Sequence, residues 1–335
     1  MPTTVRDVLL ALDCLSGGRC LKTSADWSFS KNPFVVTKTS HIPGKSVTET
    51  PGLVWGDPDM PVKKLAVMMT LTESAIELAA ATGVNAIVTH HPIADAANSG
   101  GVLLKYYLGI YDIAAFEIHE AFHGLHPGIP FLHGHQPYYA SVAYAGIPGN
   151  IVYVGDALPE VTTIGEVLDR LDAFMDVQTD EKMLSAEREI KGTNNIFETS
   201  VSARAKILVG DRKNKFSKAI HMFPHTGFTA EHLEELVKNN PGVDTLIATI
   251  SRVYPGNELI DKAAELGLNF ICGNSHALEI FENGLPLAYA LQAQLPETEI
   301  CIFRERVTST PLAEFGTLDI TTYAKNMSDN YLPKK

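Results

Sequence analysis

Short apolar segments alternate with segments of helical periodicity in the first half of the chain. Apolar runs at Leu65–Met69 and Val84–Thr89 predict two strands, and Glu73–Thr82 between them carries a helical pattern that Gly83 ends. A third strand is expected at Ile113–Ile118. Strands that are joined through a helix predict βαβ units and therefore a parallel sheet.

The second half repeats this alternation after a helical pattern around Tyr139–Ala145. Three helices and four strands are expected there: Thr163–Phe174, Thr229–Lys238 and Asn257–Leu266 as helices, and Ala205–Val209, Asp244–Thr249, Leu268–Cys272 and Glu299–Arg304 as strands. We therefore predict an α/β fold with mostly parallel or mixed sheets. The first lobe is expected over residues 1–150 and the second over residues 151–335.

Three segments depart from the alternation. Met1–Leu15 has an amphipathic pattern that contains charges, which predicts a helix rather than a signal peptide. Lys22–Glu49 is rich in Ser, Thr, Lys and Pro and predicts an irregular insertion of the first lobe, within residues 20–50. The polar tail that begins near Ala313 is expected to pack loosely or to mediate contacts.

One internal similarity links the two halves. Residues 79–87 and 263–271 both read A-A-x-x-G-[VL]-N-x-I, a helix end followed by a glycine and a buried strand. The first copy leads to His90 and His91, and the second leads to His276. The similarity has two interpretations: a generic joint between helix and strand, or two related lobes that direct ligands into a shared cleft.

Composition narrows the classes of function. The 335-residue chain has a formal net charge of −12 and is 45% hydrophobic, which disfavours a nucleic-acid-binding surface. An acidic chain can still bind a phosphorylated small molecule, because a metal ion can supply local positive charge. No apolar run is long enough for a membrane span. The chain has four cysteines, Cys14, Cys20, Cys272 and Cys301, and none of them has CxxC spacing. This pattern indicates free thiols and a reducing, cytoplasmic location.

Histidines follow three of the predicted strands. His90 and His91 end the strand at Val84–Thr89, and His119 and His123 follow the strand at Ile113–Ile118. The third segment supplies His276 and, three residues later on one helix face, Glu279. Open α/β sheets bind ligands at the carboxyl ends of their strands, and imidazole is the commonest metal ligand.

Several imidazoles with one carboxylate predict a site for two divalent metal ions, which a carboxylate can bridge. We expect His90, His91, His123, His276 and Glu279 as the ligands, and Zn, Mn, Fe or Co as the metal. Taken singly, each of these histidines is also compatible with a surface or core role. His119 is a candidate orienting residue or proton carrier, and Glu120 is a candidate base.

The remaining histidines are less informative. His126, His133 and His135 stand in a loop rich in Pro and Gly, where they line the mouth of the site or are merely exposed, and the composition slightly favours exposure. The others stand in no supporting pattern: His41, His221, His225 and His232.

The ordered set of motifs resembles a known family. Pro51–Asp59 looks like a GLxxGdp signature, and Ile87–Ile93 matches an I-x-x-HHP motif. Ile113–His123 is similar to an H-x-x-x-D segment whose first histidine is His119, and Gly256–Glu279 is similar to a helix and strand that end in G-H-x-x-x-E. In this order the motifs resemble those of the Nif-three-like dinuclear metal centre proteins, which are often named GTP cyclohydrolase I type 2.

Several residues depart from the family pattern. His123 stands where the second motif ends in Asp, and Thr70 stands where many members carry Asp. His276 and Glu279 are one residue closer together than in the family, so that Ser275 is the alternative at the ligand position. The large inserted domain of the longer members has no counterpart in the sequence. These departures indicate a divergent branch, in which the substrate can differ as well.

The resemblance implies two interlinked α/β lobes, a dinuclear metal site between them, and a ring-shaped homohexamer whose sites face the central cavity. With the histidine set it predicts a metal-dependent hydrolase of a small phosphorylated or nucleotide-like substrate. Opening of the guanine ring of GTP follows from the resemblance alone. The alternative from another class is a non-catalytic, metal-binding or regulatory assembly that acts through protein partners, which the acidic surface and the tail motivate.

Overall fold

The computed structural model describes residues 2–22, 31–39, 46–93, 104–147, 149–224, 227–248 and 253–332. Within these ranges the chain forms twelve α-helices: α1 (Val5–Leu15), α2 (Glu73–Thr82), α3 (Leu104–Ile110), α4 (His119–Phe122), α5 (Gly128–Leu132), α6 (Ile164–Phe174), α7 (Val177–Lys191), α8 (Thr199–Ser202), α9 (Ala230–Asn239), α10 (Glu258–Glu265), α11 (Leu285–Gln294) and α12 (Leu318–Tyr331). None of these helices is both long and apolar enough to cross a membrane.

The same ranges contain fifteen strands: β1 (Val36–Thr39), β2 (Ser46–Glu49), β3 (Gly52–Trp55), β4 (Lys64–Met68), β5 (Ala86–Thr89), β6 (Ala114–Glu117), β7 (His135–Ser141), β8 (Asn150–Ala157), β9 (Phe197–Glu198), β10 (Lys206–Val209), β11 (Lys218–Pro224), β12 (Thr245–Ala248), β13 (Asn269–Cys272), β14 (Glu299–Ile302) and β15 (Thr308–Ser309). Eleven of them build two larger sheets, and two short antiparallel pairs, β1 with β2 and β9 with β15, make up the rest.

The first sheet has the strand order β14-β4-β5-β6-β3, with parallel pairing throughout except at β3. Its central strands are buried on both faces, as parallel strands usually are. Leu65 and Val67 pack on one side with residues of α1 and α11. Ala66 and Met68 pack on the other side with residues of α2 and α3. The first sheet is therefore a layer between helices.

The second sheet has the order β10-β13-β12-β11-β8-β7 and is mixed, because only β11, β12 and β13 run parallel. Helices α9 and α10 cover one face, and α6 covers part of the other. The chain interlinks the two sheets: β7 precedes residue 150 yet belongs to the second sheet, and β14 follows the second sheet yet joins the first. How the chain divides into domains stays a prediction.

The α/β class expected from the sequence is confirmed. Helix α2 occupies Glu73–Thr82 as predicted; Thr72 accepts a hydrogen bond from an amide of its first turn, and Gly83 ends it with φ 73°. Helix α6 begins after Thr163, which forms a capping box with Glu166. These boundaries were predictable because capping depends on neighbouring residues.

Two expectations need correction, whereas the expectation of a loosely packed tail agrees with the structure. The helix expected at Tyr139–Ala145 is instead the end of β7 followed by a single 3-10 turn at Tyr144–Gly146. Pairing with β8 explains this strand, and such a long-range contact leaves no mark on local periodicity. The insertion at Lys22–Glu49 contains β1 and β2, although residues 23–30 and 40–45 lie outside the described ranges. The polar tail contains helix α12, none of whose residues is buried.

Candidate metal centre

The first half of the site lies where β5 and β6 end. His90 and His91 follow β5, and α4, which contains His119 and Glu120, follows β6. Because the two strands pair in parallel, their carboxyl ends lie at the same edge of the sheet. The Thr89 hydroxyl lies 2.9 Å from the carbonyl oxygen of His91 and 3.1 Å from that of Phe116, and its single proton is shared between these two acceptors. The end of β6 therefore helps to hold the turn that carries the two histidines.

Glu117 fixes the same turn from the other strand. Its buried carboxylate accepts a hydrogen bond from the amide of Ile93, at 2.8 Å, just beyond the His-His-Pro step. It also accepts hydrogen bonds from the amide and the hydroxyl of Thr50, which precedes β3. The Glu117 carboxylate thus joins the turn that carries His90 and His91 to Thr50, which lies at the end of the expected irregular insertion.

The second half of the site follows β13 of the other sheet. His276 begins a 3-10 turn over His276–Leu278, and a π-helical segment over Ile280–Gly284 comes directly after Glu279. Short π segments are frequent at functional sites because they redirect side chains. Glu279, which follows β13 of the second sheet, contacts His91, which follows β5 of the first sheet. This contact brings the two halves of the site together.

Three buried histidines form the first group of ligand-type side chains: His90, His119 and His123. Their ring centroids lie 4.8 to 5.0 Å apart, and one ring nitrogen of each lies within 4.8 Å of the others. The Asn283 amide contacts His90 Nε2 at 3.2 Å, whereas His90 Nδ1 is buried without a hydrogen-bond partner. A bound cation would satisfy such a nitrogen, so these residues fit a metal ion.

The second group comprises His91, His276 and Glu279. Glu279 Oε2 lies 2.8 Å from His91 Nε2 and 2.9 Å from His276 Nδ1. The Thr70 hydroxyl contacts the other nitrogen of His91, at 2.8 Å, and so orients that ring. Two imidazoles and a carboxylate are a donor set that divalent transition metals accept.

The protonation of the second group follows from its contacts. Burial acts to raise the pKa of Glu279, but the neighbouring His91 and hydrogen bonds from His276 and His91 outweigh it and hold that pKa well below its usual value. The hydrogen bond to Glu279 raises the pKa of His276, against the effect of burial. Burial, together with His123 and His91, lowers the pKa of His90 well below its usual value. Glu279 is therefore an anion that ligates readily.

The two groups adjoin each other. The His91 ring centroid lies 5.6 Å from that of His90 and 5.7 Å from that of His119. The structure thus brings together all seven residues singled out in the sequence: His90, His91, His119, Glu120, His123, His276 and Glu279. Their assignment as ligands or catalytic groups stays a prediction.

Sequence reasoning missed Glu49, the last residue of β2. Its carboxylate lies 3.0 Å from His119 Nδ1, and together with Glu120 it forms a third group around that histidine. Glu120 also contacts His123 Nδ1, at 3.3 Å. The only local signal for Glu49 is a carboxylate near the start of β3, which does not distinguish it from other acidic residues of the polar stretch.

The alternatives left open at the last motif now differ in geometry. His276 contacts Glu279, whereas the Ser275 hydroxyl is buried without a hydrogen-bond partner. Burial, reinforced by the charge of Glu279, raises the pKa of Glu282 to about 8, and the Asn274 amide donates to this carboxyl at 2.9 Å. A neutral Glu282 carboxyl therefore lies close to the second group at pH 7.

The other histidines divide into distinct cases. His133 and His135 are buried, contrary to the expectation of exposure, and His221 is buried beside them. His126 is partly buried against Phe122. His232 belongs to the N-terminal cap of α9. His41 and His225 lie outside the described ranges.

Comparisons with known proteins point to one family. Residues 35–97 match the model of the Duf34/NIF3 (NGG1p interacting factor 3) family. No curated protein matches the chain. Among solved structures, a hypothetical protein of Staphylococcus aureus is similar with a TM-score of 0.57 and 13% identity, covering 95% of this chain and 100% of that one.

Two further solved structures share the fold. A Bacillus cereus protein related to NIF3 has a TM-score of 0.56 and 13% identity, over 91% of this chain and 98% of that one. Reduced HcgD from Methanocaldococcus jannaschii has a TM-score of 0.53 and 16% identity, over 90% of this chain and 98% of that one. At such identities the likeness concerns the fold.

Proposed function

We propose, from its place as a divergent member of the NIF3 family, that this chain binds two divalent metal ions and hydrolyses a small phosphorylated or nucleotide-like substrate. The observation that carries the proposal is the pair of adjoining ligand groups, one of three imidazoles and one of two imidazoles and a carboxylate. Two neighbouring metal sites suit hydrolysis of phosphoesters, because they neutralise the charge of the phosphoryl oxygens.

Each proposed ion has its own residues. His90, His119 and His123 would hold one, and His91, His276 and Glu279 would hold the other. A bound ion supplies two kinds of chemistry, the acidification of a water molecule and the polarisation of the bond that breaks. The metal is a transition metal such as Zn, Mn, Fe or Co, because imidazoles predominate in the donor set.

Other residues of the chain orient the site and move protons. Thr70 and Asn283 fix the rings of His91 and His90 through hydrogen bonds to their second nitrogens. Glu120 is the proposed proton acceptor, because its carboxylate is buried between His119 and His123. His119, expected to carry protons, is also a member of the first ligand group.

The test measures metal content and turnover in the same preparations. Wild-type protein is expected to retain at least two equivalents of Mn²⁺ or Zn²⁺ and to hydrolyse one member of a panel of nucleotides and phosphomonoesters. The variant His90→Ala/His91→Ala removes one residue from each of the two proposed ligand groups and should lose turnover together with the two equivalents bound there. His232→Gln is the matched control, because it removes a histidine that belongs to none of the groups of ligand-type residues, while glutamine keeps the preferred chemistry of the helix cap.

Two results would contradict the proposal. Wild-type protein that binds fewer than two equivalents of added metal would exclude the dinuclear site. Turnover that survives in His90→Ala/His91→Ala would exclude these residues as its source. Conversion of GTP is tested as a separate arm of the panel. If GTP is not converted while another ester is hydrolysed, only the proposed cyclohydrolase activity is excluded.

A non-catalytic assembly is the second candidate, and α12 favours it. This helix has no buried residue and exposes Leu318, Ile320 and Tyr323, so its apolar side chains are available to another chain. A protein that retains metal without any turnover, and whose apparent mass falls when residues 317–335 are removed, would support this function. Assembly as a homohexamer stays a prediction.

A further inference from the structure

A second cluster of histidines lies apart from the candidate metal centre. It comprises His133, His135 and His221, which we call the histidine trio, and all three are almost completely buried. The ring centroid of His221 lies 4.6 Å from that of His133 and 5.7 Å from that of His135. These spacings resemble those between rings of the metal centre, 4.8 to 5.7 Å.

The trio lies beside the face of the second sheet on which α6 packs. His221 is in the middle of β11, and its side chain shares a face with Ala219 and Phe223, which pack in apolar clusters. His133 comes directly after α5, and His135 begins β7. Three different elements therefore direct an imidazole into one apolar region.

Five ring nitrogens of the trio have no hydrogen-bond partner: His133 Nε2, His135 Nδ1, His135 Nε2, His221 Nδ1 and His221 Nε2. Buried polar atoms are nearly always satisfied, because leaving one without a partner forfeits its hydration. A concentration of five such atoms in one place therefore requires a common explanation. Ordinary core packing is no such explanation, since apolar side chains would fill the same volume without this cost.

The chemistry of the trio suits a cation of the transition series. Burial lowers the pKa of His133 to about 4 and that of His135 to about 3, so that both rings are neutral near pH 7 and keep a lone pair. His133 Nδ1 lies 2.9 Å from the carbonyl oxygen of Ile129, to which it donates in the neutral ring, and this leaves Nε2 as the free donor atom. A backbone carbonyl behind the ring is the usual partner of a metal-binding histidine.

Gly273 makes room for this ring. A Cβ atom at position 273 would lie 2.6 Å from His133 Nε2, too close for any side chain. Glycine is thus required here by the approach of the imidazole and not by its own backbone angles. Position 273 precedes the segment that carries His276, so one loop borders both the trio and the metal centre.

We propose that His133, His135 and His221 form a separate three-histidine binding site for a transition-metal ion such as Zn²⁺. Three neutral imidazoles without a carboxylate favour Zn²⁺ or Cu over Mg²⁺ or Ca²⁺, which prefer oxygen ligands. The site is distinct from the metal centre, since the Phe223 ring lies between them, 5.4 Å from both His221 and His123. The ring nitrogens of the trio are less tightly grouped than those of the centre, so binding would draw the rings together.

The experiment uses the full chain in which the metal centre has been disabled by His90→Ala/His91→Ala/His119→Ala, so that each of its three groups of ligand-type residues has lost at least one histidine. This background is dialysed against Zn²⁺ and its metal content is measured, and it is also titrated with Co²⁺, whose visible absorption reports coordination by imidazole. We expect one equivalent of metal to remain. Adding His221→Phe should remove that equivalent and the Co²⁺ absorption, whereas adding His232→Gln should change neither.

The stability of the metal-free protein provides a second measurement. His221→Phe replaces two unpartnered nitrogens by an apolar ring of similar size, so the metal-free variant should unfold at a higher temperature than its parent. Zn²⁺ should then stabilise the parent background and leave the variant unchanged. The proposal is overturned if the background retains no zinc, or if the retained zinc survives His221→Phe. Neither outcome bears on hydrolysis, because the metal centre is disabled in every arm.

Discussion

At the scale of single residues, the imidazoles of His90 and His91 each contact a neighbour that is not itself a candidate ligand. The Thr70 hydroxyl contacts His91, and the Asn283 amide contacts His90. Arg19 donates to the carbonyl of His123, at 3.1 Å, and so holds the backbone that follows α4. Such contacts fix ring rotation and tautomer, and so they affect metal affinity without touching the ion.

Thr70→Val tests this dependence. Valine keeps the shape of threonine but removes the hydroxyl 2.8 Å from His91 Nδ1, so the affinity for the metal of the second group should fall roughly 10- to 100-fold. Isothermal titration with Zn²⁺ measures the change. Thr82→Val is the control, because its hydroxyl donates to a helix carbonyl, that of Leu78, remote from the site. Equal affinities of the Thr70 variant and wild type would refute the positioning role.

At the scale of elements, local sequence decides where α2 ends and β5 begins. Gly83 adopts φ 73°, its amide hydrogen-bonds to the last turn of α2, and a side chain there would meet no atom within 4 Å. The glycine is therefore needed for its backbone conformation alone. This connection between α2 and β5 matters for the site, because β5 is followed directly by His90.

Gly83→Ala should destabilise the protein by roughly 1 kcal/mol, the cost of a left-handed conformation for a residue with a Cβ atom. Urea unfolding at pH 7 measures this free energy. Gly109→Ala is the matched control, because Gly109 lies in α3 with a negative φ and a Cβ there would lie 3.6 Å from Trp55, an ordinary contact. The free energy of unfolding of Gly109→Ala should equal that of the wild type or exceed it by roughly 0.5–1 kcal/mol. A larger loss for Gly109→Ala than for Gly83→Ala would contradict this account.

At the scale of the whole molecule, buried histidines make folding depend on acidity. Burial lowers the pKa of His133, His135, His221 and His90 below the ordinary value of 6.5, whereas the unfolded chain takes up these protons near pH 6.5. The stabilisation that these neutral histidines contribute to the metal-free protein is therefore complete above pH 6.5 and is lost as the pH drops towards 4. The pKa of Glu282, about 8, acts in the opposite direction, since its contribution is lost as the pH rises above 4.5.

We expect the urea midpoint of metal-free protein to fall between pH 6.5 and pH 4.5, before the carboxylates with lowered pKa values such as Glu279 begin to contribute. The shift of His133 alone corresponds to on the order of 3 kcal/mol at its limit. The variant His133→Gln/His135→Gln should show a smaller pH dependence. A midpoint of the wild type that is constant over this interval would contradict the burial of neutral imidazoles.

The sequence by itself determined the α/β class, the boundaries of α2 and α6, and the residues that gather at the candidate metal centre. Its predicted resemblance to the Nif-three-like proteins is confirmed by the family match over residues 35–97 and by the shared fold. These features were predictable because periodicity, caps and the His-His-Pro step are local, and because parallel strands end at one edge of a sheet.

Only the tertiary structure decided the contacts between distant residues. His91 meets Glu279 across 188 positions, and His119 meets Glu49 across 70. The tertiary structure also decided that β7 is a strand, where a helix was expected, because this segment pairs with β8. It likewise decided the burial of the histidine trio, which no local pattern in the sequence indicated. The physical reason is common to all of them: pairing of strands and packing of layers fix which side chains share a volume, and neither leaves a period in the sequence.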